Sequence, residues 1–199
     1  MPGAQQPMAL DPEIADLLPV QGEWSESDYL WLTNKTNRLV EYTGGRLEPL
    51  PMPTDEHETI VFRMARLLAA MLEPVGGKVL PAGVRVRIGA GRFRQPDVCA
   101  LLDGRDSRRG NDYWQGADLV VKVVSPDDPR RDRVVKRREY ARSGISEYWI
   151  IDPGAGQVTV LALVGTEYVE HGVFRRGDTA NSALLAGFEV AVDQLLAID

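Results

Sequence analysis

The chain has 199 residues, 44% of them hydrophobic and 26% charged, which suits one globular domain with a sizeable core. No apolar run approaches the roughly 20 residues that span a bilayer, and Met1-Pro-Gly-Ala-Gln-Gln lacks the basic head and apolar stretch of a secretory signal, so the expected location is the cytoplasm, without a membrane partner. The single Cys99 excludes an internal disulfide, a zinc site is disfavoured with only His57 and His171 beside it, and the net charge of −6 argues against a general polyanion binder.

Residues 1–24 lack periodicity and hold four prolines, which predicts a loosely ordered tail ahead of a single domain over 25–199. Ser25 and Asp28 form an approximate capping box for a short helix through Leu32. Runs at 38–42 and 46–50 flank Thr43-Gly44-Gly45, the pattern of a hairpin, which Pro49, Pro51 and Pro53 then stop. From Thr54 the period changes. Ile60, Val61, Met64, Leu67, Leu68, Met71 and Leu72 form an apolar stripe at spacings of three and four, ended by Pro74 and Gly76-Gly77.

Val84, Val86 and Ile88 alternate with Arg85 and Arg87 as in a half-buried strand, and a second strand is predicted over 96–102 after a turn at Gly89-Ala-Gly91. Residues 105–115 read as a polar loop. Residues 119–124 are nearly all β-branched and predict a central strand buried on both faces. A helix is predicted from Pro129 to Ser143, then a strand over 145–151, a closing hairpin of 157–164 and 166–173 around Gly165, and a short helix near 193–197. This order predicts an α/β (α+β) fold, a mixed central sheet flanked by helices with additional C-terminal strands.

Lys122 is the anomaly in this pattern. Lysine is almost never buried without a partner, and an unpaired buried charge costs several kcal/mol. Its place inside Val-Val-Lys-Val-Val predicts an internal acid beside it or a cleft opening on that strand face, the alternative being an exposed sheet face or an edge where the side chain snorkels to water. Asp97 lies 25 residues earlier, and Lys136 lies 14 residues later within Asp132-x-x-x-Lys136-x-x-x-Tyr140, a spacing of one helical face. Residues 126–142 hold seven bases against four acids, which suits a solvated helix or a phosphate-facing surface made of Arg130, Arg133 and Arg137.

Five segments carry a resemblance: Leu47-Glu-Pro-Leu-Pro-Met-Pro-Thr-Asp-Glu-His57, Gln95-Pro-Asp97, Asp118-Leu-Val-Val-Lys-Val-Val-Ser-Pro126, the Asp132–Lys136–Tyr140 motif, and Gly144-Ile-Ser-Glu-Tyr-Trp-Ile-Ile-Asp-Pro153. Together, over residues 39–196, the chain resembles the Uma-type restriction endonuclease family, bacterial proteins of the PD-(D/E)XK nuclease superfamily. The resemblance implies a restriction-endonuclease-like fold, DNA as partner, and Mg²⁺ or Mn²⁺ held by Asp97 in an active protein. It implies Lys136 as the catalytic lysine and places Lys122 at the position of the second family acid. His57, Glu58 and Glu41 stand at further family-type positions.

A lysine cannot ligate a cation while protonated, and Asp118, four residues away along the strand, is about 13 Å distant. Three expectations follow. One is a metal-dependent endonuclease with another acid in place of the missing one. Another is a catalytically silent relative, needing no metal, in which Lys122 pairs with Asp97. The third is a homo-oligomeric module built on the C-terminal strands, a homodimer being the commonest assembly.

Overall fold

The computed structural model describes residues 18–125 and 131–197, leaving the side chains of 131–133 outside the description. The first helix, α1 (Glu26–Thr33), has the expected capping box: the Ser25 hydroxyl accepts from the Asp28 N–H, and the Ser25 N–H donates to Asp28. Strands β1 (Val40–Thr43) and β2 (Arg46–Pro49) pair through Gly44 and Gly45, whose φ values of 52° and 84° suit a two-residue hairpin turn. A Cβ at Gly45 would collide with the Gly22 carbonyl. That close approach ties the end of the tail to the hairpin. Gln21 makes both side-chain bonds to the Leu47 backbone, and Trp24 is buried, so residues 21–24 belong to the hairpin's packing. The tail's residues 1–17 lie outside the described residues.

Helix α2 (Asp55–Leu72) buries the predicted stripe, with Thr54 as its N-cap; Leu67 and Met71 lie at the stripe's exposed margin. A 3₁₀ turn, Glu73–Val75, ends it. The strands that follow are β3 (Lys78–Pro81), β4 (Val86–Gly89), β5 (Arg92–Arg94), β6 (Val98–Leu101) and β7 (Leu119–Val123). β3 and β5 were not legible in the pattern: Phe93 is the single apolar residue of β5, and β3 follows a glycine pair. The predicted helix at 129–143 divides. Pro129 and Arg130 lie outside the described residues, Arg131–Lys136 form a wide π-type turn, and α3 (Arg137–Arg142) continues as an ordinary helix. The four-residue face expected for Asp132, Lys136 and Tyr140 therefore does not hold across its first half.

Strands β8 (Glu147–Asp152), β9 (Gln157–Val164) and β10 (Glu167–Arg175) precede a small pair, β11 (Thr179–Asn181) and β12 (Glu189–Ala191), and the terminal turn α4 (Val192–Leu195). The main sheet has the order β10-β9-β8-β7-β6-β3, with only β7 and β8 parallel, and a smaller sheet has the order β2-β1-β5-β4. α2 covers one face of the main sheet through Val98, Val121, Val123 and Trp149. α3 covers the other through Tyr140 and Ala141 against Val120, Tyr148 and Leu161. No helix among the described residues is long and apolar enough to cross a membrane.

The C-terminal edge strand β10 carries its own protection. A bulge interrupts it between Glu170 and Gly172, Arg137 donates to the Tyr168 carbonyl, and Asp178 accepts from the Arg175 N–H. Assembly through this edge would have to displace these contacts.

Candidate active site

The register of β6 with β7 pairs Val98 with Val121, which brings Asp97 opposite Lys122, and the Asp97 N–H continues the ladder to the Val121 carbonyl at 3.0 Å. Alternation then sets the faces. Lys122 points with Val120 and Val124, and Asp97 with Cys99 and Leu101, toward the side that α3 covers. The Lys122 ammonium donates to Asp97 Oδ1 at 2.9 Å, and Oδ2 accepts from the Val123 N–H at 2.6 Å. His57 Nε2 stands 3.4 Å from the same Oδ2. Both members of the pair are buried. Burial pushes the Asp97 carboxyl up, but the His57 hydrogen bond and the Lys122 charge outweigh it and hold the group below its ordinary value.

Lys136 enters from the π-type turn. Its ammonium lies 3.1 Å from Glu41 Oε1, and neither side chain is more than 2% exposed. Glu41 also accepts from the Gln95 N–H at 3.1 Å and stands 3.8 Å from Arg94 Nε. Arg94 in turn makes a two-bond fork to Glu139, both at 2.8 Å, and donates to Thr43. This buried network fastens the helix carrying Lys136 to the smaller sheet. Arg94 and Glu139 were missed in the sequence: Arg94 lies between the two predicted strands, and Glu139 belongs to a helix that reads as a solvated charged face.

These groups meet in one cleft of about 480 Å³. Asp97, Lys122, Lys136, His57 and Glu58 line it, and Glu41 sits behind Lys136 outside the lining. Glu58 is half-exposed and reaches His57 Nδ1 at 3.5 Å. Asp118 belongs to the far end of β7, where it holds Arg108 at 2.7 Å and accepts from the Leu102 N–H. Cys99 offers no nucleophile, because burial pushes its thiol up to about 12. Of the three arginines expected on a basic face, Arg130 and the Arg133 side chain lie outside the described residues. Arg137 is half-buried and donates to the Tyr168 carbonyl.

The residues present do not fit a hard divalent cation. Such an ion needs converging oxygens, whereas Asp97 Oδ1 faces an ammonium at 2.9 Å and Oδ2 faces two N–H donors. Among the described residues no group of three His, Cys, Asp or Glu side chains is arranged to hold a metal.

The model of the family Uma2, described as "Putative restriction endonuclease", matches residues 26–193. Among solved structures, the chain resembles "a putative nuclease belonging to DUF820 from Anabaena variabilis", with a TM-score of 0.67 and 18% identity over 84% of this chain and 96% of that one. At this identity the likeness carries the fold: a mixed α+β architecture shared with that protein. No protein of curated function matches the sequence.

Proposed function

The chain belongs to the Uma2 restriction endonuclease family, and from that premise we propose that its cleft is a DNA phosphodiester site in which Lys122 takes the place of the divalent cation, so that metal-dependent cleavage is lost or greatly weakened. The observation that supports this reading is the 2.9 Å contact between Lys122 Nζ and Asp97 Oδ1. In a metal-dependent nuclease two carboxylates hold the ion, which activates water and offsets charge on the scissile phosphate. In this cleft one carboxylate is already neutralised by a covalently tethered cation. An ammonium can stabilise a phosphate oxygen, but it cannot lower the pKa of a bound water as a metal does. Lys136, which lines the cleft 3.1 Å from Glu41, adds a second positive group for the same phosphate.

The test is plasmid nicking with Mg²⁺ or Mn²⁺ by wild type and by Lys122→Glu, which restores a second acid. Wild type should nick no faster than a buffer control, and the variant should exceed it only when Mn²⁺ is present. Chelator-sensitive nicking by wild type at the variant's rate would sink the reading. It would assign the missing ligand to another acid, with Glu58 the half-exposed carboxylate of the cleft wall.

A further inference from the structure

The cleft's shape and charge distribution select a ligand more narrowly than duplex DNA. Its outer wall is apolar, built from Leu39, Leu50, Pro51, Met52 and Pro53, and Met52 is 86% exposed. Its inner wall carries Lys122, Lys136 and His57. Glu41, 3.1 Å from the Lys136 ammonium, is not part of the lining, whereas Lys136 is. Two further carboxylates, Glu56 and Glu58, stand on the wall at exposed positions. Among the described lining residues, two ammoniums thus stand inside against the single carboxylate of Asp97, and two carboxylates stand at exposed positions.

That arrangement suits one phosphate reaching inward and penalises a row of phosphates passing across the mouth. A duplex presents such a row, about one charge per 1.7 Å of axis, and keeps its base faces stacked away from any apolar wall. A single unstacked nucleotide matches both features. Its phosphate meets the ammoniums, and its base lies on the Met52 and proline surface, where thioether and apolar contacts with an aromatic ring are favourable. A volume of about 480 Å³ falls within the roughly 300–1,000 Å³ of cavities that bury a small ligand. We propose that the cleft takes one unstacked nucleotide, phosphate inward and base against the Met52 wall, in preference to intact duplex. The proposal rests on the phosphodiester reading above and narrows its substrate class to unpaired nucleotides, whether free or at a single-stranded site.

The experiment is fluorescence anisotropy on the full chain, without metal, with a labelled oligo-dT and a labelled duplex of equal length, and with thymidine monophosphate as competitor. The single strand should bind at least about tenfold more tightly than the duplex. For one or two phosphates engaged, the slope of log K against log salt should be about −0.7 to −1.4. Met52→Asp, at an exposed position, should leave the melting temperature unchanged and weaken single-strand binding about tenfold. Displacement by the monophosphate assigns the site to free nucleotide as well, and displacement by oligonucleotide alone assigns it to a strand; either supports the proposal. Duplex binding as tight as single-strand binding, or Met52→Asp binding oligo-dT like wild type, overturns it and leaves the phosphodiester reading standing. Binding of none of the three probes overturns both.

Discussion

Asp97 and Glu147 are both buried carboxylates beside β7, and they are satisfied in opposite ways. Glu147, at the start of β8 opposite Leu119, is bound by neutral donors alone: Trp149 Nε1 at 2.6 Å, Ser182 Oγ at 2.7 Å, and the N–H groups of Ala183 and Leu184 at 2.6 and 2.8 Å. It pins the segment after β11 to the main sheet and is fully buried. Asp97, toward the other end of β7, is bound by a cation and a histidine that also line the cleft. A carboxylate that serves architecture can be saturated by fixed dipoles. One held by charged side chains at a cavity wall stays responsive to pH, to substitution and to ligand.

The comparison can be broken first at Glu147. Glu147→Ala removes the charged acceptor shared by four donors, the buried Trp149 Nε1–H and three part-buried groups of 182–184, and at about 1 kcal/mol each the loss should reach about 4 kcal/mol in urea unfolding. A loss under about 1 kcal/mol would mean that the C-terminal segment is held by its apolar contacts alone.

Lys122→Met should cost somewhat less, about 3 kcal/mol, because Asp97 keeps the Val123 N–H and His57 while losing its cation. The pH signature is the sharper readout. In wild type the folded-state value of Asp97 is depressed below the unfolded value of about 3.9, so its contribution is complete above that pH and is lost as pH falls through the folded value. Without Lys122, burial dominates and the value rises, so acid unfolding of the variant should begin at higher pH. An unchanged acid midpoint would show that Lys122 is not what holds Asp97 ionised.

The smallest effect is expected at Arg137. Arg137→Ala should cost about 1 kcal/mol or less. Its consequence should instead be concentration-dependent association in sedimentation velocity, through the uncovered Tyr168 carbonyl on β10. A variant that stays as wild type in sedimentation would place the edge protection in the bulge alone.

Local signals carried most of the architecture into the sequence. The α2 stripe, the capping box at Ser25 and the Gly44-Gly45 turn are read from neighbours within four residues. The burial of Lys122 followed from the β-branched run around it, and the resemblance supplied Asp97 and Lys136 as its companions. Illegible were features whose cause lies across the fold. β5 is a strand because Tyr42 and Thr43 pair with it, not because Arg-Phe-Arg has a strand's pattern. Glu41, Arg94 and Glu139 are separated by 53 and 45 residues, and only the meeting of the smaller sheet with α3 makes them a network. The π-type turn at Arg131–Lys136 has the composition of an ordinary helix, so a four-residue period was the natural expectation there.

The central claim is that a tethered ammonium occupies the cation position beside Asp97. Thermal unfolding with increasing Mn²⁺ tests it most directly, comparing wild type, Lys122→Glu, and Lys122→Glu combined with Asp97→Asn. Wild type should show no shift. Lys122→Glu should start lower, because two buried carboxylates repel, and then gain stability as Mn²⁺ rises, by about 2.7 kcal/mol at one hundred times its Kd. The double variant should lose that gain. A wild-type melting temperature that climbs with Mn²⁺ as steeply as that of Lys122→Glu, and loses the climb in Asp97→Asn, would contradict the account.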